Sequence, residues 1–120
     1  MAHDGHHPYP RTARINQILR EVISDVIIRL GDRDERLGLV TVTDVDTSPD
    51  IRNAVVFLDS LTDERRAALE EHRTYIQAQV NVQTRLKRTP KLSFLADPAI
   101  AAGEGVEGAI RRLRAEDDDY

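Results

Sequence analysis

Between Ile15 and Leu30 the apolar residues Ile15, Ile18, Leu19, Val22, Ile23, Val26, Ile27 and Leu30 recur at the three-four spacing of one helix face. A helix with one oily side must be covered, and 120 residues give room for one compact core and little more. Aromatics are only 4% of the chain and Trp is absent, so that core is built from Val, Ile, Leu and Ala. Thr12 is placed to cap the helix, and Gly31 to end it in a left-handed turn.

The cover has to come from the chain beyond Gly31. "LVTVTDVD", Leu39 to Asp46, is β-branched and alternates in polarity, so it reads as a strand. "TSPD" supplies Ser48, Pro49 and Asp50 for a turn, and "RNAVVFLDSL", Arg52 to Leu61, reads as a second strand closing an antiparallel hairpin. Thr62 is a natural helix cap, with Asp63 and Glu64 placing negative charge in the first turn. The helix it opens meets no Pro or Gly until Pro90 and can extend to about Arg88, a length that predicts a bend or a break partway. Lys91 to Asp97 is a third strand, with Leu92, Phe94 and Ala96 on one face. Beyond Pro98, "AAGEGVEG" reads as a loop, and Val106, Ala109, Ile110 and Leu113 as a short terminal helix.

Three strands in so small a chain cannot bury both faces of a sheet. The expectation is an α+β fold with helices on one face and solvent on the other. Residues 1–10 read as a disordered lead-in, 11–114 as the domain and 115–120 as a flexible acidic tail.

Several function classes lose support. No apolar run approaches the roughly 20 residues of a membrane-spanning helix. The start "MAHDGHHPYP" lacks a secretion signal's cationic and apolar parts, and the chain has no Cys, so a cytoplasmic protein is expected. His3, His6 and His7 precede the first structured residue and have no preset geometry to hold a metal. Asp44 and Asp46 share a strand face, but without a neighbouring nucleophile or third ligand they read as a solvated hairpin edge. "GVEG", Gly105 to Gly108, follows the last strand beside Glu104 and Glu107, which would repel phosphates, so it reads as a surface turn. No catalytic constellation, cofactor site or metal site is expected.

One feature is left over. From His72 to Ala96 the chain carries Arg73, Arg85, Lys87, Arg88 and Lys91 and no acid, although acids outnumber bases 21 to 17 overall. Bases at a helix C-terminus offset its dipole by about 0.3–1 kcal/mol each, which is the plain reading. Exclusion of carboxylates over more than twenty residues preserves the field that a phosphate backbone requires, and this favours RNA binding. Arg11, Arg14 and Arg20 on the first helix are candidates to extend the surface. A small protein-interaction module using an open sheet face or edge is the alternative.

"RLGLVTVTDVDTSPDIRNAVVFL", Arg36 to Leu58, resembles the hairpin signature of the ribosome-binding factor A family. "RINQILREVISDVI" before it and "RLKRTPKLSF" behind it extend the likeness from about Arg11 to Leu113. The resemblance implies a type II KH-like fold, helix-strand-strand-helix-(kinked) helix-strand. It also implies a non-catalytic assembly factor that binds free small (30S) ribosomal subunits and 16S rRNA, supports late maturation and rRNA processing, and matters most in the cold. A ribosome-dependent GTPase that promotes release, and a monomeric state, belong to the same expectation. Asp34, Arg36, Leu37 and Gly38 match the family's loop before the first strand, with Glu35 where Pro is usual. Ser48, Pro49 and Asp50 match its hairpin turn, and Arg85, Leu86, Pro90, Leu92 and Phe94 the entry to its last strand, with Lys91 where Glu is frequent. His72, Arg73 and Thr74 stand where the family bends its long helix at an Ala-x-Gly kink.

Overall fold

In the computed structural model, which describes residues 10–103, the elements run α1 (Pro10–Gly31), β1 (Val42–Thr47), β2 (Asn53–Leu58), α2 (Asp63–Gln83), β3 (Lys91–Ala96) and α3 (Pro98–Gly103). Helix α1 starts before Thr12. Pro10 occupies the start, where a fixed φ and a missing N–H cost nothing, and Thr12 is buried inside the helix rather than capping it. Gly31 does not take a left-handed conformation either. Its use is close approach, because a Cβ there would lie 3.0 Å from the carbonyl oxygen of Gly38, which does have positive φ, at 57°. The apolar face is as expected: Leu19, Ile23, Val26, Ile27 and Leu30 are buried.

The sheet order is β1-β2-β3, with β1 and β2 antiparallel and β2 and β3 parallel. Between Val42 and Asp44 the register slips by one residue. This bulge places Val42 and Val45, three apart, both in the core, where a regular strand would send them to opposite faces. Thr43, the extra residue, donates its hydroxyl to the buried Asp97 carboxylate, which also accepts the Ala99 amide at 2.8 Å.

Helix α1 packs on β1, α2 on β3 and the helices on each other, so Val45, Ala54, Val56, Leu58, Leu92 and Phe94 meet Leu69, Ile76 and Val80 in one core. On the other face Val55 is half-buried and Ser93 and Leu95 exposed, as a one-sided layer requires; Phe57, only 8% exposed, is the exception. Two side-chain amides lock the helices to the sheet. Asn16 accepts the Thr47 amide at 2.9 Å, and Gln77 the Leu92 amide at 3.0 Å.

Thr62 caps α2 as expected, accepting the Arg65 amide at 3.2 Å. The expected break is not there. Helix α2 runs uninterrupted through His72–Thr74 for 21 residues, because Ala68, Leu69, Ile76 and Val80 keep one continuous buried stripe across that point. It also stops earlier than Arg88, at Gln83, where the Thr84 amide and hydroxyl both bond the Val80 carbonyl, at 3.0 and 2.8 Å. Residues 98–103, partly read as loop, form α3, with the Asp97 carboxylate taking an amide of its first turn. The His3, His6 and His7 cluster, the "GVEG" turn, the terminal helix and the acidic tail lie outside the described residues. Among the described residues no helix is long and apolar enough to cross a membrane.

Candidate nucleic-acid interface

Because β2 and β3 are parallel, α2 must carry the chain back along the sheet, and both strands begin at the same end. The turn that precedes β2 therefore meets the loop that precedes β3. Arg85, Lys87 and Arg88 lie in that loop, past the Thr84 cap, and the last turn of α2 contains no base. Dipole compensation within the helix is thus not what gathers them.

The loop is held by its apolar members. Leu86 packs against the core and Pro90 is buried, while Thr89 donates its hydroxyl to Asn81 at 3.3 Å. Between these anchors Arg85, Lys87 and Arg88 are left exposed. None of the three forms an ion pair among the described residues, although carboxylates are plentiful elsewhere on the surface. With Asp50, Ile51, Arg52 and Leu86 they line an open cleft of about 480 Å³.

The hairpin side of the cleft is a tightly bonded turn. The Ser48 amide donates to the Asn53 carbonyl at 2.8 Å, and the Ser48 hydroxyl both donates to Asp50 Oδ1 at 2.7 Å and accepts the Asn53 amide at 3.1 Å. The Arg52 amide donates to the same Oδ1 at 3.1 Å. The Ser48 hydroxyl bond, then the Arg52 amide, hold the Asp50 carboxyl below its ordinary pKa. Ile51 pays the conformational cost of this turn with φ 59°, a left-handed backbone that a β-branched residue rarely adopts.

Lys91 opens β3 beside this turn: its amide donates to the Arg52 carbonyl at 2.9 Å, and its side chain is exposed. Asn16 pins the first half of α1 to the end of β1, so the exposed Arg14 belongs to the same end, with Arg20 nearly two turns further along. Arg11 lies in α1, and its side chain is outside the described residues. Arg73 is not brought in. It sits near the middle of α2, roughly 15 Å along the axis from the end of that helix, and faces Glu70 at 3.6 Å. Arg52 is the cleft residue that sequence reasoning missed; its signal was the neighbouring turn, but only the parallel pairing puts it on one cleft with Arg88.

A second charged cluster ties the loop after α1 to α2. The Arg36 guanidinium holds Glu71 at 2.7 and 3.1 Å and Asp34 at 2.6 and 3.0 Å, and His72 Nε2 lies 2.9 Å from Asp34 Oδ2. Bonds from Arg36 and then His72 push the Asp34 carboxyl well below the carboxylate range, and Arg36 lowers Glu71 likewise. With each side chain engaged by a partner inside the cluster, it reads as structural. On the outer face Asp44 Oδ1 accepts the Val45 amide at 2.9 Å, and among the described residues no group of three metal-ligating side chains comes together.

A mixed three-stranded sheet covered on one face by two long helices defines an α+β domain of the KH-like kind, and exposed bases collect at the end where β2 and β3 start. The family model described as ribosome-binding factor A matches residues 11–110, and the chain belongs to that family. A relative named ribosome-binding factor A from Rubrobacter xylanophilus is 39% identical over 113 residues, covering 91% of this chain and 92% of its own. Another of that name from Thermodesulfovibrio yellowstonii is 31% identical, with 89% and 93% covered. The crystal structure of ribosome-binding factor A from Thermus thermophilus superposes with a TM-score of 0.66 at 27% identity, over 72% of this chain and 97% of that one. A homology model of the Thermus thermophilus factor, fitted into the cryo-EM map of its complex with the 30S subunit, superposes with a TM-score of 0.58 at 28% identity, covering 68% and 89%.

Proposed function

We propose that this chain attaches to the small ribosomal subunit through rRNA phosphates, using Arg52, Arg85, Lys87, Arg88 and Lys91, with Arg14 at the margin. The observation that carries the reading is the convergence of exposed bases from two distant segments on one cleft, without an ion-pairing carboxylate for Arg85, Lys87 or Arg88 among the described residues. The superposition on a factor fitted into a 30S complex supports the choice of partner. Phosphate contacts of this sort position a protein without reading sequence, so selectivity comes from the shape of the immature subunit. The role is non-catalytic. By binding one conformational state of the subunit better than another the protein shifts that equilibrium toward late maturation and rRNA processing, in the cytoplasm and as a monomer. A ribosome-dependent GTPase then releases it.

Co-sedimentation with free small subunits and with whole ribosomes at two salt concentrations tests this, alongside Arg85→Gln, Lys87→Gln and Arg88→Gln combined. Preference for free subunits, weakened by salt and by the substitutions, at one copy per subunit, is the expected result. Binding indifferent to the substitutions would remove the cleft from the interface.

A further inference from the structure

A cleft built only to hold phosphates has no use for a carboxylate, yet Asp50 lines this one among Arg52, Arg85, Lys87 and Arg88. The hairpin turn does not account for the whole of it. Both short bonds of the turn, from the Ser48 hydroxyl and the Arg52 amide, go to Oδ1, and an asparagine Oδ1 would accept the same two bonds, without the charge. Among the described residues Oδ2 of Asp50, a side chain that is 61% exposed, has only the Arg52 guanidinium at 3.8 Å, beyond hydrogen-bond range. The cleft therefore offers an ionised acceptor, unsatisfied by short bonds, in the midst of cations. Its ionisation is secure at neutral pH, since the turn's own bonds lower the carboxyl's pKa.

Such an arrangement suits a ligand that carries negative charge and a hydrogen-bond donor a few bonds apart. In a nucleic-acid backbone the donor nearest a phosphate is the ribose 2′-hydroxyl, which DNA lacks. Resting on the RNA-binding reading of this cleft, we infer that Asp50 is a specificity residue: its Oδ2 accepts the 2′-hydroxyl of a nucleotide whose phosphate is held by the surrounding bases, and so restricts the cleft to ribose strands. Base-edge donors such as guanine amino groups offer the same chemistry, but they are carried alike by strands that differ only at the sugar.

The test uses the full-length chain and a single-stranded RNA of about ten nucleotides, compared by fluorescence anisotropy with a 2′-fluoro strand of identical sequence. The fluoro strand keeps the sugar pucker and the bases but has no 2′ donor. The wild type should favour the ribose strand by about tenfold, the scale of one hydrogen bond to a charged acceptor. Asp50→Asn keeps an Oδ1 acceptor for the turn and replaces Oδ2 with a donor, so the preference should shrink to about twofold or less. Because the ratio is taken within each protein, a loss of stability in the variant does not mimic the effect.

Equal affinity of the wild type for both strands overturns the inference while leaving the basic surface in place. Equal weakening of both strands by Asp50→Asn also overturns it and assigns Asp50 to a base-edge donor or to the turn alone. Binding of neither strand by the wild type removes the cleft as a nucleic-acid site and takes the surface of the proposed function with it.

Discussion

Arg36 gathers two carboxylates that are far apart in the chain, Asp34 from the loop after α1 and Glu71 from α2, and so clamps that loop across the helix. Asp34 and Glu71 both titrate lower in the folded chain than in the unfolded one. Their contribution is complete above the ordinary carboxylate range, about pH 4. Below it the unfolded chain takes up protons first, and the stabilisation is lost as pH falls toward the folded values. Thermal melts should therefore show stability declining from about pH 4 downward. Asp34→Asn should melt lower at pH 7 and lose less on acidification; an unchanged acid slope in that variant would exclude this cluster as the cause. At Ile51 the strain runs the other way. A left-handed backbone costs a side-chain-bearing residue roughly 1–2 kcal/mol, so Ile51→Gly should melt at or above the wild type, offset in part by glycine's entropy and by lost contact with the cleft floor. A clear fall in melting temperature would show that packing of Ile51 outweighs its backbone strain.

Helix α2 does two jobs, crossing the sheet and delivering the basic loop. Its start was readable because Thr62, Asp63 and Glu64 announce a cap through local chemistry alone, and Thr62→Ala should cost about 1 kcal/mol in denaturant unfolding. Its buried stripe matters more. Ile76 is fully buried, and Ile76→Ala should cost roughly 2–5 kcal/mol; a loss below about 1 kcal/mol would mean the helix readily repacks against β3. That the helix continues unbroken through His72–Thr74 was not readable, because its length allowed a break there while the deciding factor was tertiary packing on either side. The ends of α1 were misread for a related reason. Thr12 and Gly31 carry the right chemistry for caps, but Thr12 was recruited into the core and Gly31 into a close approach to Gly38.

At the scale of the whole molecule, charge is divided by topology. The start of α1, the hairpin turn and the loop after α2 share one end of the sheet, with Arg14, Arg52, Arg85, Lys87, Arg88 and Lys91. At the far end Asp34, Asp59, Asp63 and Glu64 are interleaved with Arg33, Arg36, Arg65 and Arg66. A net charge of -4 thus conceals one end enriched in bases. Composition along the chain showed that bases cluster between Arg85 and Lys91, but the addition of Arg52 and the exclusion of Arg73 depend on strand pairing and on a side-chain partner, neither of which is a property of the local sequence. Each base that contacts a phosphate adds to the steepness with which affinity falls with salt, about 0.7 per contact on single-stranded RNA. Neutralising Arg85, Lys87 and Arg88 together should flatten that slope by about 2, whereas Arg73→Gln should leave it unchanged. Equal flattening by Arg73→Gln would place the interface along α2 instead.

The cleft is assembled from residues 50–52 and 85–88, and these meet only once β3 has paired in parallel with β2. Among the described residues β3 is the last strand in chain order. A chain that has reached Arg88 owns every basic residue of the cleft but not the pairing that assembles it. On the function proposed above, competence to bind then doubles as a certificate of completed folding, and chains truncated before Lys91 carry the bases without the site.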